Sequence, residues 1–290
     1  AILIGIVLMV VRVGLKMALF PLHQWLPDAY TYAPAASSSL IAPIGTKVAA
    51  YVLIRLVFWV FPTGLLLAEL PLLELIGILG ALGIVWGSVM AIPQNNLKRM
   101  LAYSSVAQIG YIALGIGLGT AFGFIGAILH LLNHACMKAC LFLVSSTLES
   151  RGKGLEIDQL HASLRRDMPW SSAAFTVAAI SMIGLPPTAG FFSKWYLVLG
   201  SFQEDRYIFV GIILLSSLLN AVYFFRILER MYLSEPEGQE EEAWSESPRA
   251  TSPFFLIFSP LVLGGGLLVL GLGNGLIVTH VLKPLLPFAP

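Results

Sequence analysis

Apolar positions in this chain gather into long unbroken runs rather than alternating stripes. Eight runs reach or approach the roughly 20 residues that cross a bilayer as a helix: 1–20, 36–61, 73–92, 98–118, 119–147, 168–200, 206–233 and 253–282. Four connections are polar or turn-like: 21–35, 93–97, 148–167 and 234–252. The last, SEPEGQEEEAWSESPRATS, predicts a solvated loop. Residues 154–166 (GLEIDQLHASLRR) predict a short amphipathic helix lying on the membrane surface, with His161 solvated. The pattern as a whole predicts an all-α polytopic transmembrane helix bundle, a single membrane domain over 1–290.

Composition narrows the function classes. Hydrophobic residues make up 57% of the 290, charged residues 11%, and the mean hydropathy is +0.84. A soluble domain carries about 25% charged residues, so a soluble enzyme is excluded. A net charge of +1 gives no reason to expect nucleic acid. Cys136 and Cys140 stack one helical turn apart inside an apolar run, which reads as packing rather than a disulfide, zinc or redox pair. No signal peptide is legible, and the run that opens at Ala1 leads us to expect a fragment with protein upstream.

Basic residues set an orientation. Nine (Lys98, Arg99, Arg151, Lys153, Arg165, Arg166, Arg226, Arg230 and Arg249) fall at the ends or in the connections after runs three, five and seven. The opposite connections hold three: Arg55, Arg206 and Lys283. By the positive-inside rule the odd-numbered runs end in the cytoplasm. Parity also puts 21–35 there, although it lacks Lys and Arg. The expected location is a bacterial-type inner (cell) membrane, crossed many times.

Five cations fall inside the runs: Arg12, Lys16, Lys47, Lys138 and Lys194. A lysine at a helix centre costs about 2.5–3.5 kcal/mol on insertion scales, so such groups should face the bundle interior or a water-filled cavity. Snorkelling to the interface suits Arg12 and, in part, Lys16; it suits Lys47, near the middle of 36–61, poorly. A third reading has the lysines neutralise buried helix C-termini. His130, His134 and Lys138 repeat every four residues and form one polar stripe climbing about 12 Å. With no further Cys or acidic ligand nearby, the stripe suits a proton relay better than a metal. Prolines break two runs: Pro21 follows Lys16, and Pro186–Pro187 precedes Lys194 and should free the carbonyls of Met182 and Ile183. Broken membrane helices beside ionisable groups fit a transporter.

These residues carry a resemblance. LKMALFPLHQWLPDAYTYAP (15–34), TKVAAYVLIR (46–55), NNLKRMLAYSSVAQIGY (95–111), HLLNHACMKACLFL (130–143) and LPPTAGFFSKWYLVLG (185–200) resemble the antiporter-like membrane subunits shared by complex I and the multisubunit Na+/H+ (Mrp-type) antiporters. TKVAAYVLIR, FSKWYLVLG and SSLLNAVYF (216–224) look most like the antiporter D subunit. The resemblance implies the C-terminal part of an inverted-repeat fold of about fourteen helices. In it, 1–61 ends the first repeat, 73–233 forms the second and 253–282 is the last helix. It also implies roles. Lys16 and Lys194 match the lysines of the two broken helices, Lys47 matches the connecting lysine, and His130 and His134 match the central relay. The glutamate that partners the Lys16 position belongs to an earlier helix.

The expected function is a proton-translocating membrane subunit of a multisubunit cation/H+ antiporter, Mrp D-like, with protons passing Lys16, Lys47, His130, His134, Lys138 and Lys194. The alternative is a proton-pumping subunit of an NADH:quinone oxidoreductase or related hydrogenase; a structural subunit with a vestigial polar row is the third reading. Expected partners are other membrane subunits, lipid, and protons, with Na+ left open. No nucleotide loop, Fe–S cysteine set or metal site is legible, so no cofactor and no catalytic centre are expected in this chain.

Overall fold

The computed structural model describes residues 2–61, 71–152, 154–235 and 254–287. The described residues are helical apart from turns and one isolated bridge, Asn96 to Glu156. Four long helices form the frame: α3 (Ala35–Arg55), α4 (Leu72–Ala91), α5 (Leu97–Leu118) and α6 (Ala121–Ser150). They follow α1 (Ile2–Met17) and the short α2 (Trp25–Tyr32). After a one-turn α7 (Ser163–Asp167) come α8 (Pro169–Ile183), α9 (Ala189–Gln203), α10 (Tyr207–Leu233), α11 (Phe254–Leu272) and α12 (Asn274–Ile277).

Five of the eight apolar runs become single helices long and apolar enough to cross a membrane, α3 being extended by one wide turn, Leu56–Val60. A sixth apolar stretch is a helix pair bent by 69° between Leu256–Leu272 and Asn274–Leu285. The runs 1–20 and 168–200 are broken, as their prolines predict: α1 stops at Met17 before Pro21, and α8 stops at Ile183 before Pro186. Gly184 closes α8 with φ +92°, a left-handed conformation that favours glycine.

The core lies between α5 and α6, whose inward positions are buried along their whole length. Asn96 and Thr120 cap their N-termini, accepting from the amides of Arg99 (3.2 Å) and Gly123 (3.0 Å). Backbones of α4 and α5 touch through glycine. A Cβ on Gly80 would lie 2.6 Å from Leu114 N, and one on Gly110 2.5 Å from Gly80 O. Small residues permit this approach, which supplies helix association where lipid removes the hydrophobic drive.

The polar connections converge at one end of the bundle. Arg99 pairs with Asp28 (3.3 Å), Arg166 with Glu235 (3.0 Å), and Arg226 donates to Ile92 O (3.1 Å) and Gln94 O. Arg206 and Glu74 (3.1 Å) lie at the ends of helices that start from the opposite side. The alternation of connections read from basic residues therefore has a structural counterpart.

One expectation fails here. Residues 154–166 do not form a surface helix. Leu97 N donates to Leu155 O (2.8 Å), Ile157 N to Asn95 O (2.6 Å) and Ala162 N to Ser234 O (2.8 Å), so the segment is pinned to three helix ends. It folds as a 3-10 turn (Ile157–Gln159) and α7, tucking Ile157, Leu160 and Leu164 inward. His161 is buried with them, not solvated. Both cysteines are free, Cys140 buried and Cys136 partly so. The acidic stretch at 234–252 lies largely outside the described residues.

Candidate proton pathway

The stripe on α6 faces inward: His130, His134 and Lys138 are each fully buried. Burial of so many polar groups demands partners. Lys138 Nζ donates to Leu101 O and to Ser104 Oγ, both at 2.6 Å, on α5. His130 is held at both nitrogens, Nδ1 by Ser193 Oγ and Nε2 by Gln108 Oε1, each at 2.9 Å. Its ring lies 6.2 Å from that of His134, nearly parallel. Neither nitrogen of His134 has a hydrogen-bond partner among the described residues.

Lys194 enters from α9, just beyond the proline break. Its Nζ donates to Met182 O (3.0 Å), Ile183 O (2.9 Å) and Ser217 Oγ (3.1 Å), and lies 4.9 Å from the centre of the Tyr111 ring. The two carbonyls are those that Pro186 and Pro187 leave without a helical donor. All three ammonium protons thus have acceptors, and the aromatic face adds a cation–π contact. The break in the helix and the buried charge are mutually dependent.

Lys47 on α3 is 4% exposed and donates to Ala42 O (2.7 Å), one turn away and next to Pro43. It lies within electrostatic reach of His134, Lys138 and His130. The structure therefore brings Lys47, Lys138, His134, His130 and Lys194 into one buried group.

Lys16 does not join them. α1 buries Ile6, Gly14 and Met17, and Lys16 lies on the opposite, exposed face, as does Arg12. The inward placement expected for Lys16 is not seen within this chain; the packing of α1 on α3 fixes its rotation the other way. Lys98, read from sequence as a loop cation, is instead 1% exposed, pairing with Glu149 Oε2 (2.5 Å) and donating to Ala33 O (3.2 Å). Sequence reasoning also missed the neutral partners Ser104, Gln108, Tyr111, Ser193 and Ser217. Uncharged polar residues carry little cost in a membrane helix, so nothing marks them in an apolar run; their spacing on α5 (104, 108, 111) is the one available signal.

Residues 1–220 match the family described as "NADH:quinone oxidoreductase/Mrp antiporter, TM". The chain is 44% identical over 293 residues to the NADH-quinone oxidoreductase subunit N of Desulforudis audaxviator, covering 99% of this chain and 58% of that protein. It is 34% identical over 297 residues to the F(420)H(2) dehydrogenase subunit N of Methanosarcina mazei, again covering 99% and 58%. The chain thus spans little more than half the length of these relatives. Among solved structures, it aligns with a chain of the membrane-bound sulfane sulfur reductase, an archaeal respiratory membrane complex, at TM-score 0.79 and 28% identity, covering 91% of this chain and 52% of that one. A chain of the Mrp complex from Dietzia sp. has the same fold: TM-score 0.80, 24% identity, 92% and 55% covered.

Proposed function

The chain belongs to the NADH:quinone oxidoreductase/Mrp antiporter transmembrane family, and from that premise we propose that it forms part of a proton-translocating membrane subunit of a quinone-linked redox complex. The observation that carries the proton pathway is the buried group Lys47, Lys138, His134, His130 and Lys194. Five basic side chains share one interior with no buried carboxylate among the described residues. They cannot all hold charge at once at acceptable cost, so protonating one disfavours protonating its neighbour. This is the condition for passing charge along a row. No bond to carbon, no metal and no nucleotide is needed; redox chemistry belongs to other subunits.

Choice of the redox complex over the antiporter rests on the relatives. The sequence reading put the Mrp D-like antiporter first. Similarity of 44% across nearly the whole chain to a subunit of NADH-quinone oxidoreductase favours the alternative, while the likeness to the Mrp complex supports the fold alone. In this reading Lys16 faces outward toward the part of the relatives that this chain does not span, where the resemblance places its glutamate partner.

The test is reconstitution of the complete protein with its co-purifying subunits. Reduced donor plus quinone should acidify or alkalinise the vesicle lumen in step with quinone reduction. Proton movement driven by a Na+ gradient alone, with no redox activity in the preparation, would return the assignment to the antiporter.

A further inference from the structure

In the segment SSLLNAVYF (216–224), α10 aims polar residues into the core. Ser216 and Asn220 are fully buried and Tyr223 is 1% exposed. Their partners form a connected series. Ser104, the acceptor for Lys138 at 2.6 Å, lies beside the Tyr223 hydroxyl. Tyr223 donates to Asn220 Oδ1 (2.7 Å), and Ser88 of α4 reaches the same oxygen at 3.5 Å. Ser88 and Ser216 share a hydrogen bond of 2.7 Å. The Tyr111 hydroxyl lies beside Ser216 and Ser217, and Ser217 is a partner of Lys194 at 3.1 Å. The Asn220 amide closes the series by donating to Met182 O (3.3 Å), a carbonyl that Lys194 also uses.

Hence two rows of polar side chains run between Lys138 and Lys194. One is His134 and His130 on α6, in ring contact but with no hydrogen bond at His134 among the described residues. The other runs across α4, α5 and α10 and contains no titratable cation. We propose that this second series is a proton-conducting connection parallel to the histidines, with Tyr223 as the relay hydroxyl at its Lys138 end. The inference rests on the proton-pathway reading above. A hydroxyl both donates and accepts: Ser104, which donates to Leu101 O (2.9 Å) at rest, turns its proton to Tyr223 as it takes one from Lys138, and Tyr223 releases its own in turn. The hydroxyl is left intact and one proton has moved on. Asn220 does not exchange protons in the working range. Its role is positional: Tyr223 and Ser88 both donate to its Oδ1, so a proton passes between the two hydroxyls by way of a bridging water.

Histidine and hydroxyl connections predict different arithmetic from a strictly serial path. Flux is measured in vesicles containing the complete complex, driven by an imposed potential, for Tyr223→Phe, His134→Gln and the double variant, each at equal assembled protein. Tyr223→Phe removes one oxygen and keeps the ring. Parallel conduction requires that each single variant retain part of the flux and that the double variant lose more than the product of the two single losses. If Tyr223→Phe matches the parent in both backgrounds, or the losses simply multiply, the second connection does not conduct. Ser216→Ala tests the same series at its middle should Tyr223→Phe fail to assemble, with the same criteria. Lys194→Ala separates the two levels: flux surviving that change overturns the pathway itself, whereas flux lost there but indifferent to Tyr223 overturns only the hydroxyl connection.

Discussion

A buried lysine is stable only if its protons find acceptors, and the three lysines of the interior basic group differ in how many they find. Lys194 has three and an aromatic face, Lys138 two, Lys47 one. Lys194→Ala should lower proton flux by about 100-fold or more, the loss of a positioned proton-transfer group, with assembly retained because Met182 O keeps Asn220 and Ser217 keeps Tyr111. Vesicle flux at equal protein level checks it, and near-normal flux sinks the assignment. Lys47→Ala should cost far more flux than Arg12→Ala, since Lys47 is interior and Arg12 is exposed; equal effects would mean that Lys47 reaches an interface. Residues such as Lys47, His134 and Lys194 were legible in sequence because a charge or imidazole in an apolar run stands out. Lys16 stands out for the same reason, but the helix face it occupies, exposed among the described residues, is decided by packing that the run does not encode.

Elements were legible wherever the signal was length or proline. Five spans and both breaks followed from those alone. The surface helix expected at 154–166 was not, because periodicity cannot report backbone bonds to Asn95 and Ser234, which are distant in sequence. Nor does it report how closely helices pack. α4 and α5 meet with Gly80 and Gly110 in near contact, and no rotamer change can relieve a collision with a backbone amide. Gly80→Val should therefore destabilise by about 1–3 kcal/mol or more, the range for overpacked interiors. The measurement is thermal unfolding of the purified complex in detergent, where an unchanged midpoint would show that α4 can move away from α5 freely.

Across the whole molecule the charged connections gather at one end, and the basic excess there predicts its side of the membrane. Asp158→Cys, at the exposed turn before α7, should react with an impermeant maleimide from the cytoplasm only, and Glu204→Cys, after α9, from the other face only. Both belong in a background lacking Cys136 and Cys140, and labelling of the two from one side would reverse the orientation or break the parity. The α6 stripe has an electrical consequence. Its climb of about 12 Å, on a helix that spans a hydrocarbon core of about 30 Å, covers some two-fifths of the membrane field. At about 2.3 kcal/mol per charge per 100 mV, a proton moving from Lys138 to His130 exchanges roughly 0.9 kcal/mol with that field. In the proposed pathway this transfer is electrogenic within the protein, before any proton has left it. A voltage step across a planar bilayer should therefore draw a transient displacement current, and His134→Gln should shrink it.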